Sequence, residues 1–168
     1  MFRKIRPEEI DQNLFSMLND QWMLVTAGTP EHCNTMTASW GGLGVLWRRN
    51  VAMCVIRPQR YTMEFVEREG YYTLSFFGDK YRRELALCGA KSGRELDKIR
   101  ECGFTVAAAE GNAPYFEEAE LVIVCRKLYW QDLEPGHFTD PAVLEQCYPE
   151  KDYHRMYIGE IVEVLQKA

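Results

Sequence analysis

The stretch Cys33-Asn34-Thr35-Met36-Thr37-Ala38-Ser39-Trp40-Gly41-Gly42 decides how this chain is read. It places Thr35, Thr37, Ser39, Ala38 and two glycines where Val and Ile would build a stronger strand. Thr37 and Ser39 stand at i and i+2, so on an extended strand they share one face. Small side chains on that face leave backbone N–H and C=O groups within reach of a flat ligand. An aromatic heterocycle with donors and acceptors along its edge suits such a surface. For these residues alone, a twisted strand with glycines at a bulge is the alternative.

The flanking segments put this stretch among strands. Trp22 to Ala27 reads as a buried strand ended by Gly28-Thr29-Pro30, and Thr35 to Trp47 as a second, long strand bent near Gly41-Gly42. Val51 to Ile56 is apolar on both faces and therefore central. Tyr71 to Phe77 alternates, and Leu121 to Trp130 and Arg155 to Leu165 are two more long strands. Helices are expected over Glu8–Asn19, over Met63–Glu69 and through Tyr81, Leu85 and Cys88. A short helix over Pro141–Gln146 and one opened by Ser92-Gly93-Arg94-Glu95, a capping-box match stopped at Gly103, complete the set. Thr62 is the expected N-cap of the second helix, with Tyr61 stapled on Val66. The early strands follow one another through short turns, which favours antiparallel pairing over βαβ winding. The expected fold is mainly β, an antiparallel barrel with short helices capping it, in a single domain over residues 1–168.

Composition narrows the function. A net charge of −5 argues against a broad grip on nucleic acid or anionic lipid, so any bound anion needs a local site. Unbroken apolar runs such as Leu121 to Cys125 are far below a membrane span. Pro7, Glu8 and Glu9 stand where a signal peptide would have its apolar core, so a cytoplasmic protein is expected. The six cysteines are nowhere closer than fourteen positions, which excludes CxxC zinc and redox motifs, and no metal site is expected. Gly42-Leu43-Gly44 lacks the third glycine of a dinucleotide fingerprint, and no P-loop, GxSxG or HExxH is present.

One motif does point to an anion. Arg57-Pro58-Gln59-Arg60-Tyr61-Thr62 gathers two guanidinium groups and a hydroxyl where a strand ends and a helix begins. A helix start offers unpaired N–H groups and partial positive charge, and arginine offers forked donors matched to phosphate oxygens. Together they form a compact phosphate cradle. A capping Thr62 beside solvated arginines is the other reading of the same spacing.

Four segments in order then carry a resemblance: Asn34-x-Met36-Thr37-Ala38-Ser39-Trp40, Arg57-Pro-x-Arg60-Tyr61-Thr62, Ser92-Gly93-Arg94 with Asp97-Lys98, and Ala113-Pro114. From about Trp22 to Leu165 the chain resembles the flavin reductase-like family of FMN-binding split barrels, which includes flavoredoxins. The resemblance implies an antiparallel split β-barrel homodimer holding FMN near the subunit interface. It assigns Met36, Thr37, Ala38, Ser39 and Trp40 to the flavin ring and ribityl chain, and counts Asn34 among the cofactor-binding residues. It assigns Arg57, Arg60, Tyr61 and Thr62 to the phosphate, and Phe76, Phe77, Ser92, Gly93 and Lys98 to the rest of the pocket. His154 to Ile161 is similar to a late family segment whose histidine is associated with nicotinamide binding. Here Tyr153 precedes that histidine and Asp152 lies one further back. A neutral His154 closing a strand end is the alternative.

The resemblance implies an oxidoreductase that passes electrons from NAD(P)H through flavin to a small-molecule or protein acceptor. A flavoredoxin-type carrier reduced by a partner protein is the second reading.

Overall fold

The computed structural model describes residues 1–168. Strand β1 (Phe2–Ile5) is followed by a 3₁₀ turn at Pro7–Glu9, helix α1 (Leu14–Ser16) and a wide π turn at Met17–Gln21. The single helix expected over Glu8–Asn19 is thus broken into three pieces. Ile10 is extended after the first turn, and the Asn13 side-chain oxygen accepts from Phe15 N–H (3.0 Å) and Ser16 N–H (3.2 Å), restarting the helix there.

Strands β2 (Met23–Thr29) and β3 (His32–Ala38) form a hairpin, and β4 (Gly41–Leu46) and β5 (Arg49–Ile56) form a second. The one long strand expected over Thr35–Trp47 is therefore two. β3 pairs with β2, β4 pairs with β5, and the chain changes partner at Ser39-Trp40, just ahead of the expected glycine bend. Helix α2 (Tyr61–Arg68) and strand β6 (Tyr71–Phe76) come next, then helices α3 (Arg82–Ala90) and α4 (Lys98–Cys102). A small hairpin of β7 (Val106–Ala108) and β8 (Pro114–Phe116) precedes β9 (Leu121–Asp132), α5 (Pro141–Cys147) and β10 (Arg155–Lys167).

The main sheet runs β3-β2-β6-β9-β10-β5-β4, antiparallel throughout, with β1 added to β10. Its two end strands, β3 and β4, are consecutive in the chain and share no ladder. The sheet curls round until its ends meet at Ser39-Trp40 and leaves a split there. Long strands buried on both faces explain the unbroken apolar runs. On β2, Met23, Val25 and Ala27 face the inner core with Tyr72, Leu74, Ile123 and Cys125, sealed by Phe65 and Val66 of α2. Leu24 faces the other way, with Val122 and Val124, against Leu85 and Cys88 of α3 and the aromatic rings of Phe77, Phe104 and Phe116. Each fully buried Leu or Phe of these layers contributes about 1.5–3 kcal/mol. No helix is long and apolar enough to cross a membrane.

Two expected caps are replaced. Thr62 does not cap α2; Arg60 holds the N-cap position without a side-chain bond, and Tyr61 packs edge-on against Phe65 (5.1 Å). Ser92–Glu95 forms a turn closed by Glu95 N–H on Ser92 O (3.1 Å), and α4 starts later, where the Asp97 carboxylate accepts from Arg100 N–H (3.1 Å). Gly103 ends that helix in the left-handed conformation, as its sequence position implies.

The β2–β3 hairpin depends on Gly28, whose φ is +120°. A Cβ there would collide with the His32 carbonyl and lie 2.6 Å from Cys33 Cα. Gly28→Ala is expected to destabilise the protein by about 3 kcal/mol. A urea titration checks this; an unchanged midpoint at unchanged m contradicts it.

Candidate functional site

The split in the sheet opens into a cleft of about 270 Å³ lined by Met36 to Trp40, with Val55, Arg57, Arg60 and His154. The β3 wall is shaped by its bonds. Thr37 donates its hydroxyl to the Leu85 carbonyl, tying β3 to α3 and turning that hydroxyl away from the cleft. The backbone from Met36 to Ser39 and the Ser39 hydroxyl remain as the polar edge. Trp40, 45% exposed, stands at the mouth with its ring 5.0 Å from the His154 ring.

Arg60 also lines an adjoining smaller hollow with Gln59, Tyr61, Thr62, Ala90, Lys91, Ser92, Gly93 and Lys98. Here Arg60 donates to Gly89 O (2.7 Å) and Cys88 O (3.3 Å), and Lys98 Nζ donates to Cys88 O (3.2 Å). These are the last carbonyls of α3, the partially negative end of the helix. No carboxylate faces either cation. Burial lowers the Arg60 guanidinium, and burial, with Arg60 close by, brings the Lys98 ammonium down to about 8. Two sequestered cations without a counter-charge are costly unless an anion joins them. Thr62, 1% exposed, accepts from Asn34 Nδ2 (2.8 Å), which leaves its own proton free to be donated. Tyr61 and Thr62, at the start of α2, line the same hollow. Gly93 is needed because any Cβ there would fall on Asn34 Oδ1.

Cleft and cradle bring together Met36, Thr37, Ala38, Ser39, Trp40, Arg57, Arg60, Tyr61, Thr62, Ser92, Gly93, Lys98 and His154, with Asn34 directly behind Thr62. Arg57 lines the cleft without reaching the cradle, and two expected site residues, Phe76 and Phe77, lie elsewhere. Arg57 leaves Arg60 across the turn closed by Arg60 N–H on Arg57 O (3.0 Å). Its guanidinium pairs with Asp152 (2.5 Å), donates to Cys147 O (2.9 Å) and lies over the Tyr148 ring (5.2 Å). It therefore clamps the strap after α5 and stays out of the cradle. Phe76 and Phe77 are 2% and 3% exposed and belong to the two cores.

The structure adds residues that spacing does not reveal. Val55 floors the cleft but is indistinguishable in sequence from other β5 positions. Tyr148 donates or accepts at His154 Nδ1 (2.8 Å), from an irregular strap that has no period to read. The small-residue run Gly89-Ala90 beside Ser92-Gly93 is the one signal that would have extended the cradle.

With Nδ1 engaged, Nε2 is the His154 nitrogen left for a ligand. Burial, then the Arg57 charge, lowers the His154 pKa to about 4, so the ring is neutral near pH 7. Its ordinary value is 6.5, so the folded state binds fewer protons than the unfolded one between the two values. The stability this gives is full above pH 6.5 and is lost as pH falls toward 4. An NMR titration of the His154 ring checks the value; a midpoint near 6.5 contradicts the burial argument.

The chain superposes on flavoredoxin from Methanosarcina acetivorans with a TM-score of 0.69 at 22% identity, covering 98% of this chain and 76% of that one. An FMN-binding domain of a flavin reductase-like enzyme from Shewanella baltica gives 0.70 at 16%, with coverages of 99% and 77%. The NADH:FAD oxidoreductase SgcE6 of Streptomyces globisporus gives 0.64 at 14%, with coverages of 88% and 75%. At these identities the likeness is one of fold. No curated protein matches the sequence significantly. The family model for the flavin reductase-like domain matches residues 15–168, and the chain belongs to that family.

Proposed function

We propose that the protein binds FMN and acts as an oxidoreductase, passing electrons from NAD(P)H through the flavin to an acceptor. The observation that carries this reading is the cradle: half-buried Arg60 and buried Lys98, with no carboxylate beside them, share a hollow with Thr62 and the start of α2. The flavin would supply a ring able to accept hydride and release electrons singly or in pairs. The chain's own residues bind and orient it. Arg60, Lys98 and Thr62 suit a dianionic phosphate. Backbone groups from Met36 to Ser39 suit the polar edge of the ring, and Val55 and Met36 its apolar face. The neutral His154, fixed by Tyr148, offers a ring nitrogen to a carboxamide such as that of nicotinamide. That the solved relatives are described as FMN-binding or as an NADH:FAD oxidoreductase supports the reading.

The protein would then work as a homodimer in the cytoplasm. Val45 (73% exposed), Leu46 and Trp47 (54%), at the β4–β5 turn, and Tyr129 and Trp130 of β9 leave apolar surface exposed, with the Trp47 and Tyr129 rings 6.1 Å apart. A second copy would cover it. All six cysteines are free thiols, which fits a reducing compartment. A flavoredoxin-type carrier reduced by another protein is the second reading, favoured by the exposed Trp40 at the mouth and by the likeness to flavoredoxin.

Anaerobic mixing of the FMN-loaded protein with NADH or NADPH separates the two. Bleaching of the visible flavin band within the turnover time supports the reductase; a persistent yellow colour leaves the carrier. Lys98→Ala is expected to weaken FMN binding about tenfold or more, the worth of one charge-assisted bond. Wild-type affinity should decline as pH rises above about 8, where free Lys98 loses its proton and bound phosphate must restore it. Fluorescence titration at pH 7 and pH 9 reads both; equal affinities throughout place the phosphate elsewhere. Trp47→Glu is expected to give a monomer in sedimentation, and an undisturbed dimer would move the interface away from β4.

A further inference from the structure

Cys88 closes the last turn of α3 and Cys102 ends α4, and their sulfurs lie 3.7 Å apart, in van der Waals contact. Cys88 is fully buried, whereas Cys102 is partly exposed. The segment between them, 88–102, contains Ser92, Gly93 and Lys98, one whole wall of the cradle. The Cys88 carbonyl itself accepts from both Arg60 and Lys98.

We propose that Cys88 and Cys102 are a thiol pair that hydrogen peroxide can oxidise, and that their disulfide closes the segment 88–102 and loosens the anion cradle. The effect on the cradle rests on the phosphate-binding reading above; formation of the bridge does not. In the first step the partly exposed Cys102 sulfur attacks hydrogen peroxide. An S–O bond forms, the O–O bond breaks, and hydroxide leaves and takes up the thiol proton as water. In the second step the Cys88 sulfur attacks the Cys102 sulfur. An S–S bond forms, the S–O bond breaks, and the departing hydroxide takes the Cys88 proton as a second water. Two thiols and one peroxide thus give one disulfide and two waters.

A disulfide is about 2 Å long, so the sulfurs must approach by a little under 2 Å. Cys88 is anchored through its carbonyl and its buried side chain. The short α4 is the element that yields, and Lys98 is its first residue, so Lys98 moves with Cys102. A displacement of that size at one donor disrupts a phosphate site matched to fractions of an ångström. Burial raises the Cys88 thiol to about 12 and raises Cys102 as well, so little thiolate is present and the bridge forms slowly, over long exposure to peroxide.

The test treats the full-length protein with hydrogen peroxide, maps its peptides without reduction, and titrates FMN into reduced and oxidised samples. The expected result is a Cys88–Cys102 linked peptide and FMN affinity about tenfold lower, restored by dithiothreitol and absent in Cys102→Ser. Sulfinic acid at Cys102 with no linked peptide overturns the proposal, as does a bridge that leaves FMN affinity unchanged. Cys102→Ala serves if the serine variant folds poorly. Failure of the reduced protein to take up FMN sinks the flavin reading together with the effect on the cradle, and the peptide map still decides the bridge.

Discussion

Arg60 and Lys98 converge on the final carbonyls of α3, and neither meets a carboxylate. That contact joins three segments distant in sequence: the turn before α2, the end of α3 and the start of α4. Asn34 extends the lattice to β3 through Thr62, and Thr37 returns it to α3 through Leu85. The helix end partly neutralises the two cations, but carbonyl dipoles do not replace a full negative charge in a buried setting. The arrangement is stable enough to fold and electrostatically incomplete, which is the condition for a selective anion site in a chain of net charge −5.

The sheet supplies the second half of the site. Because β3 and β4 pair with opposite ends of the sheet, the chain must cross at Ser39-Trp40, and backbone is left unladdered there. Larger β-branched residues in this stretch would strengthen the strands and fill the cleft. The hydroxyl and small residues that looked weak for a strand are the ones that keep the split open. The Arg57 clamp on Asp152 and Cys147 then sets the strap that carries Tyr148, and Tyr148 sets His154.

The long strands and their antiparallel pairing were legible from residue patterns, because burial on both faces leaves direct marks in the chain. What the chain did not disclose depends on tertiary choice. Arg57 and Arg60 look equivalent in sequence, yet one finds Asp152 and the other finds a helix end. Thr62 has the identity of a cap, but Asn34 claims its hydroxyl. Ser92 to Glu95 fits a capping box, but Asp97 offers a carboxylate closer to the Gly103 stop. The N-terminal helix expected through Ile10, Leu14 and Met17 lost to Asn13, whose side chain competes for the backbone N–H groups. Phe76 and Phe77 carried no sign that both cores would claim them.

Comparing FMN with riboflavin tests the central claim most directly, because the two ligands share ring and ribityl chain and differ only in the phosphate. The account predicts that FMN binds at least about tenfold more tightly than riboflavin at low salt, and that the difference vanishes when Arg60 and Lys98 are both replaced by alanine in a variant that still melts cooperatively. Equal affinity for the two ligands in the unaltered protein would contradict it.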